Sequence, residues 1–230
     1  MERHFDEQLQ TLRNHLMKMS AMAEVMIADA VRSVVERDKD AIPPVYEREE
    51  LVNEMQMEID ESCMKLIALN QPAAGDLRFI LGIIKINSEL ERLADEAVNI
   101  VKKAEHLLTV EQLKPFEFIP ETSHIARSMV RDSLRSFINR NTSLAREVLL
   151  RDDQLDALKT KIVDLLKVCM SEDSQSISRA LDLMYISRCL ERIGDHATNI
   201  AENAIFVVDG VDVRHHADQK RLKTQPYAAV

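Results

Sequence analysis

The sequence predicts an all-α protein: two tandem three-helix bundles, with six long helices in total. Three observations predict this class. Only 4 Gly and 6 Pro occur in 230 residues, which is too few for the frequent turns of a sheet protein. Apolar residues recur at alternating spacings of four and three, as on the buried side of a long helix. The two halves of the chain also repeat one another.

The first half is predicted to contain three helices, over 3–38, 44–69 and 73–109. The first has an unbroken 4-3 apolar stripe: Phe5, Leu9, Leu12, Leu16, Met19, Ala23, Met26 and Ala30. The third has another: Ile83, Ile86, Leu90, Leu93, Ala97, Ile100, Ala104 and Leu107. Helix-breaking residues at 38–44 and 70–75 separate the three helices.

The second half is predicted to contain helices over 121–139, 142–170 and 175–208. Two prolines in Lys114–Glu121 prevent a continuous helix between the halves. The apolar stripe of the sixth helix repeats that of the third, 100 residues later: Leu183, Ile186, Leu190, Ile193, Ala197, Ile200, Ala204 and Val207. The 4-3 pattern stops at Asp209-Gly210, a turn signal.

The internal repeat is clearest where Glu91–Ala104 aligns with Glu191–Ala204, with seven of fourteen positions identical. Earlier in the chain the offset grows to 103, pairing Asp29 with Asp132 and Arg48 with Arg151. The predicted domains are therefore 1–112 and 113–215, followed by a flexible tail over 216–230.

Composition excludes several functions. A net charge of −9 argues against general nucleic-acid binding, which depends on neutralising phosphates. The most apolar run, Phe79–Ile86, is too short to span a bilayer and is interrupted by Lys85. The acid-containing N-terminus does not resemble a signal peptide. Three cysteines are too few for a disulfide framework, so we expect reduced thiols in the cytoplasm.

Acid and amide side chains recur at i, i+4 and i+8 in each repeat, forming one row on the outer side of each helix. The rows are Glu91, Asp95 and Asn99, and then Glu191, Asp195 and Asn199. Solvation alone requires only polarity on this face, whereas the same three positions keep the same residue types in both repeats. We therefore predict that each row binds a cation.

Oxygen ligands favour Mg²⁺, Ca²⁺, Mn²⁺ or iron, and Zn²⁺ is disfavoured because the Cys/His spacing of a structural zinc site is absent. Neighbouring helices could add carboxylates to each site. The candidates are Asp29 with its counterpart Asp132, Glu50 with its counterpart Asp153, and Glu202, which has only Lys102 opposite.

The segments ERLADEAVNI and ERIGDHATNI resemble the PhoU family of bacterial phosphate-uptake regulators. The similarity extends to the turns NQPAAGDLR and MSEDSQSI and to DVRH after the last helix. It implies two three-helix bundles side by side, each with a surface multinuclear metal site. The family's Glu/Asp-x-x-x-Asp motif maps to Glu91/Asp95 and Glu191/Asp195.

The same resemblance implies a role and partners. Such a protein would be a cytoplasmic homodimer that restrains phosphate uptake by the ABC phosphate transporter, through its cytoplasmic ATPase. It would link that transporter to a phosphate-sensing histidine kinase and keep the phosphate-starvation genes off. Contact with the membrane would be through these partners only.

Two alternatives to a non-enzymatic adaptor remain open from the residues. One is a metal-dependent phosphohydrolase that uses clustered carboxylates around two ions. The other is a scaffold without metal. The sequence contains no P-loop, nucleophile elbow or HExxH motif, which favours the adaptor.

Overall fold

Six long helices account for most of the chain in the computed structural model, which describes residues 2–113 and 118–213. No strand occurs in these ranges, and short 3₁₀ turns precede the second and sixth helices. The predicted all-α class is confirmed. The helices are α1 (Glu2–Val35), α2 (Pro43–Asn70), α3 (Ala74–Leu107), α4 (Phe118–Ile138), α5 (Thr142–Glu172) and α6 (Ile177–Asp209).

The helix ends differ from the predicted ones by a few residues, for local reasons. α1 stops at Val35, short of the predicted 38, because Arg37 takes a left-handed conformation with φ 55°. The Arg37 guanidinium donates to the carbonyls of Leu107, Leu108 and Val110 at 2.9–3.0 Å, so it caps the end of α3. α4 begins before the predicted 121 because a proline fits in a first helical turn, where no N–H is needed.

Each half forms a three-helix bundle, and the two bundles share one continuous hydrophobic core. α1 packs against α4, and α3 against α6. Lys103 pairs with Asp182, and Glu89 with His196, so α3 and α6 run antiparallel. Phe79 and Phe137, one from each half, are fully buried and stack with centroids 4.8 Å apart. The resemblance implied bundles side by side, but periodicity alone did not indicate which helices join them.

The predicted boundary between domains falls in the connection from α3 to α4, of which 114–117 lie outside the described residues. The predicted tail over 216–230 also lies outside them. Within the described ranges, no helix is long and apolar enough to cross a bilayer. None of the three cysteines, all of which lie in the described ranges, forms a disulfide bond: Cys63 and Cys189 are buried, and Cys169 is half-buried.

Candidate metal centres

Two helix hairpins position the acidic rows. In the first half α2 packs beside α3, and in the second half α5 packs beside α6. In the second hairpin, α6 is in close contact with α5 at Gly194, because a Cβ on this residue would overlap the buried Leu155 side chain. Asp152 Oδ1 would lie 3.6 Å from that same Cβ. Gly194 therefore lets α5 bring its carboxylates next to those of α6.

The second-half group, called cluster 2, consists of Asp152 and Asp156 from α5 and Glu191 and Asp195 from α6. Burial and the neighbouring carboxylates raise the pKa of Asp152 to about 6, from 3.8. Burial, followed by the charge of Glu191, also raises the pKa of Asp195. Lys159 Nζ pairs with Glu191 at 2.6 Å and so offsets the charge of one of the four carboxylates. Cluster 2 therefore holds more negative charge than its surroundings compensate.

The first-half group, called cluster 1, consists of Glu49 and Asn53 from α2 and Glu91 and Asp95 from α3. Burial raises the pKa of Glu91 and of Asp95, and the charge of Glu49 adds to both. Asn53 donates to Glu49 at 2.6 Å. A surface groove of about 290 Å³ lies beside the cluster and is lined by Glu49, Asp95, Tyr46, Val98, Asn99 and Lys102.

Cluster 1 has one carboxylate fewer than cluster 2, because Asn53 stands where Asp156 stands in the repeat. The clusters flank the α3–α6 interface. His196 of α6 is close enough to Glu91 to favour its charged form, although burial has the larger effect and the pKa of Glu91 is raised. The rows do not face fully outward as predicted: Asp95 and Asp195 are exposed, whereas Glu91 and Glu191 are half-buried in the hairpins.

The structure does not bring the predicted Glu50 and Asp153 into the clusters. Both are exposed, and the residues one position earlier, Glu49 and Asp152, approach the α3 and α6 rows instead. One residue turns the direction of a helical side chain by about 100°. The offset of 103 pairs Glu49 with Asp152 as well as Glu50 with Asp153, so the repeat alone could not choose between them.

Asp29 and Asp132 are also outside the clusters, because each is held by arginines. Asp29 is buried and pairs with Arg48 at 2.8 Å and with Arg32 at 3.1 Å. Asp132 pairs with Arg151 at 2.6 Å. The sequence contained the signal for this duplicated ion pair, since the arginines follow the same offset of 103 as the aspartates.

The three remaining predicted ligands lie in different surroundings: Asn99 is beside cluster 1, whereas Asn199 and Glu202 are outside cluster 2. Asn99 lines the groove of cluster 1. Asn199 instead faces α3, where it donates to Glu89 at 3.1 Å, beside a His196–Glu89 contact of 2.8 Å. Glu202 is half-buried two turns beyond Asp195, about 10 Å along α6, which is too far to share cluster 2.

The donor chemistry of both clusters fits a hard cation. Their atoms are carboxylate and amide oxygens, and a bound cation would compensate the charge that raises the pKa values. The carboxylates are close together, but they are not arranged around one point. Within 2–113 and 118–213, no three acidic, imidazole or thiol groups are placed so that they could bind the same metal ion. Binding would therefore require side-chain rotation, for which the exposed Asp95 and Asp195 have room.

The fold and the two clusters define the class of this protein: a duplicated three-helix bundle with an acidic cluster on one hairpin of each half. The family model described as the PhoU domain matches this chain twice, over residues 16–104 and 119–204. The chain belongs to the PhoU family.

The relatives agree with that assignment. A Pseudomonas putida protein named phosphate-specific transport system accessory protein PhoU homolog is 40% identical over 94% of this chain and 84% of its own length. An Aquifex aeolicus protein of the same name is 37% identical over 93% of this chain and 97% of its own. These names describe accessory proteins rather than enzymes.

Solved structures match the fold as well. The crystal structure of PhoU from Pseudomonas aeruginosa has a TM-score of 0.86 at 35% identity, covering 90% of this chain and 100% of that one. The phosphate transport system regulatory protein PhoU from Streptococcus pneumoniae has a TM-score of 0.82 at 26% identity, covering 91% of this chain and 99% of that one.

Proposed function

We propose that this protein is a metal-binding accessory regulator of phosphate transport. The observation that carries the proposal is family membership over both repeats, with relatives named as accessory or regulatory proteins of phosphate transport. The paired acidic clusters support the metal-binding part. Their uncompensated charge is the kind of environment that a bound cation stabilises.

In cluster 2, Asp152, Asp156, Glu191 and Asp195 would hold the ion, and in cluster 1 the ligands would be Glu49, Glu91 and Asp95. Mg²⁺, Mn²⁺, Ca²⁺ and iron suit these oxygen donors, and Zn²⁺ is disfavoured by the absence of Cys or His ligands from the clusters. The ion would neutralise the carboxylates and draw the two helices of each hairpin together. Cluster 2 should bind more tightly than cluster 1 because it has the additional carboxylate.

The regulator is proposed to act as a cytoplasmic adaptor. Its partners would be the cytoplasmic ATPase of the phosphate ABC transporter and a phosphate-sensing histidine kinase, and it would repress uptake and the starvation response. Long helical faces with exposed apolar side chains support a binding role: Leu181 is 55% and Val168 52% exposed on the α5–α6 hairpin. A homodimer would double these faces.

Deletion and complementation test this function. A strain lacking the protein should take up phosphate without repression when phosphate is plentiful, and the wild-type gene should restore repression. An Asp95→Ala/Asp195→Ala variant should restore it poorly while its helicity is unchanged. The regulatory role is wrong if deletion leaves uptake unchanged. The metal's part in it is wrong if the variant complements fully.

A further inference from the structure

A long groove runs between α1 and α4, on helices that form no part of either acidic cluster. It consists of two adjoining depressions of about 270 Å³ each. One is lined by the α1 segment 17–24 and the α4 segment 131–139, the other by 28–36 and 120–127. From Met17 to Val35 the groove extends roughly 27 Å, at 1.5 Å per residue.

Both walls of this groove have the spacing of a coiled coil. On each helix, a subset of the lining residues alternates at steps of four and three, as positions a and d of a heptad do. On α1 they are Met17, Ala21, Glu24, Ala28, Val31 and Val35, and on α4 they are His124, Arg127, Arg131, Leu134 and Ile138. Two antiparallel helices with such stripes along a shared groove present the holes into which a third helix would pack.

The groove is apolar at its base and positively charged along one side. Leu134 and Val31 are buried in its floor, whereas Met17 remains 48% exposed. Arg127, Arg131 and Arg135 form a row along α4, each one turn from the next. Such a row is unexpected on a protein of net charge −9.

These guanidinium groups are poorly compensated. All three lie near Glu24, whose pKa burial raises in spite of them. Arg131 is paired with the adjacent Asp132 at a long 3.7 Å. The Nε of Arg127 is buried and has no hydrogen-bond partner within the described residues. With few carboxylates of its own nearby, the row is suited to carboxylates supplied from outside.

We propose that the α1–α4 groove is a docking site for an acidic amphipathic helix of a partner protein. Apolar residues of that helix would fill the floor, and its Asp and Glu side chains would pair with Arg127, Arg131 and Arg135. This inference deepens the adaptor role and rests on it for the existence of a partner. It does not depend on metal binding.

Charge argues against two other occupants. The chain's own last fifteen residues contain Lys220, Arg221 and Lys223 against the single acid Asp218, so they match the arginine row in sign. A symmetric dimer through this groove would add the arginine row of a second copy to the interface without adding a complementary acidic surface. An acidic partner helix complements the row in charge.

The test uses the full-length protein and two synthetic peptides of about three heptads, with Leu at a and d. One has Glu at positions e and g, and the other has Lys there; like charges keep each peptide from pairing with itself. Binding is measured by calorimetry. Methyl NMR locates it, since the Met17 methyl lies in the groove, whereas Met57 and Met64 are exposed on α2 and serve as internal controls.

The acidic peptide is expected to bind and to shift the Met17 signal while those of Met57 and Met64 stay in place. Arg131→Glu/Arg135→Glu should weaken this binding by about tenfold or more and strengthen binding of the basic peptide. Lys65→Glu/Lys167→Glu makes the same charge change at exposed positions elsewhere and should have little effect. If the charge reversal does not fold, Arg131→Gln/Arg135→Gln should give a smaller loss.

Three results would overturn the proposal. The basic peptide could bind the wild-type protein as tightly as the acidic one. The acidic peptide could bind without moving Met17 or without loss in either arginine variant. Inorganic tripolyphosphate could occupy the groove while the acidic peptide does not, which would make it a site for small anions. Because pure protein and peptides are used, none of these results bears on repression in the deletion strain.

Discussion

Neutralising Asp152 is expected to stabilise the metal-free protein, although the same change should weaken metal binding. Burial and the carboxylates of Asp195, Asp156, Asp153 and Glu191 raise the pKa of Asp152 to about 6 from 3.8. A carboxyl whose pKa is higher in the folded state favours folding while it is protonated. Its stabilising contribution is therefore present near pH 4 and is lost as the pH rises through about 6.

The size of this stabilisation follows from the rise in the pKa of Asp152. One pKa unit corresponds to about 1.4 kcal/mol, so the rise from 3.8 to about 6 corresponds to about 3 kcal/mol. Asp152 is half-exposed, so screening by solvent reduces this to about 1 kcal/mol. Asp152→Asn should then increase the free energy of unfolding by about 1 kcal/mol at neutral pH and change it little near pH 4.

Urea unfolding in EDTA across this pH range measures the effect, with Glu147→Gln as the control at an exposed α5 carboxylate that does not contribute to the raised pKa. Adding Mn²⁺ should reverse the order, because the wild-type protein then gains stability that the Asp152→Asn variant lacks. If Asp152→Asn is no more stable than wild type at neutral pH, or if its gain is the same at pH 4, the raised pKa of Asp152 does not destabilise the metal-free fold.

Three further changes test the fold by urea unfolding or hydrogen exchange. Asp29→Ala should lower the free energy of unfolding by about 2 kcal/mol, since it leaves two arginines without their buried partner; a loss near zero would contradict the ion pair's role. Gly194→Ala should lower the free energy of unfolding by about 1–2 kcal/mol, because the added Cβ overlaps Leu155. The control Gly75→Ala adds a Cβ with nothing within 4 Å and should stabilise slightly. Equal effects of the two changes would show that α5 and α6 are not in close contact at Gly194. Arg37→Ala should cost about 1.5 kcal/mol and speed amide exchange in the last turn of α3, where three hydrogen bonds are lost; unchanged exchange there would exclude the cap.

The helices could be predicted from the sequence because each must bury one apolar stripe. The stripe that begins at Phe5 becomes the core side of α1, with Leu16, Met19 and Met26 fully buried. The exact helix ends could not be predicted, because they depend on local backbone conformations, such as the left-handed conformation of Arg37, that apolar periodicity does not indicate. The antiparallel packing of α3 on α6 depends on contacts between residues about 100 positions apart, which a single sequence does not record.

On α3 and α6 the predicted carboxylates lie in the clusters. On α2 and α5 the carboxylates that approach them are Glu49 and Asp152, one position before the predicted Glu50 and Asp153. A helical projection of α2 distinguishes these neighbours. Val45, Val52 and Ile59 mark the buried side, Glu50 lies opposite to them, and Glu49 lies at their edge, where it can approach α3. The same projection of α5 favours Asp152 over its neighbour.

Metal binding by the two acidic clusters is the central proposal. Elemental analysis after reconstitution with Mn²⁺ or iron and removal of free metal tests it directly. The wild-type protein and a Glu50→Gln/Asp153→Asn control should retain metal, and Asp95→Asn/Asp195→Asn should lose most of it with its helicity intact. Equal metal content in all three proteins, or none in the wild type, would contradict the claim.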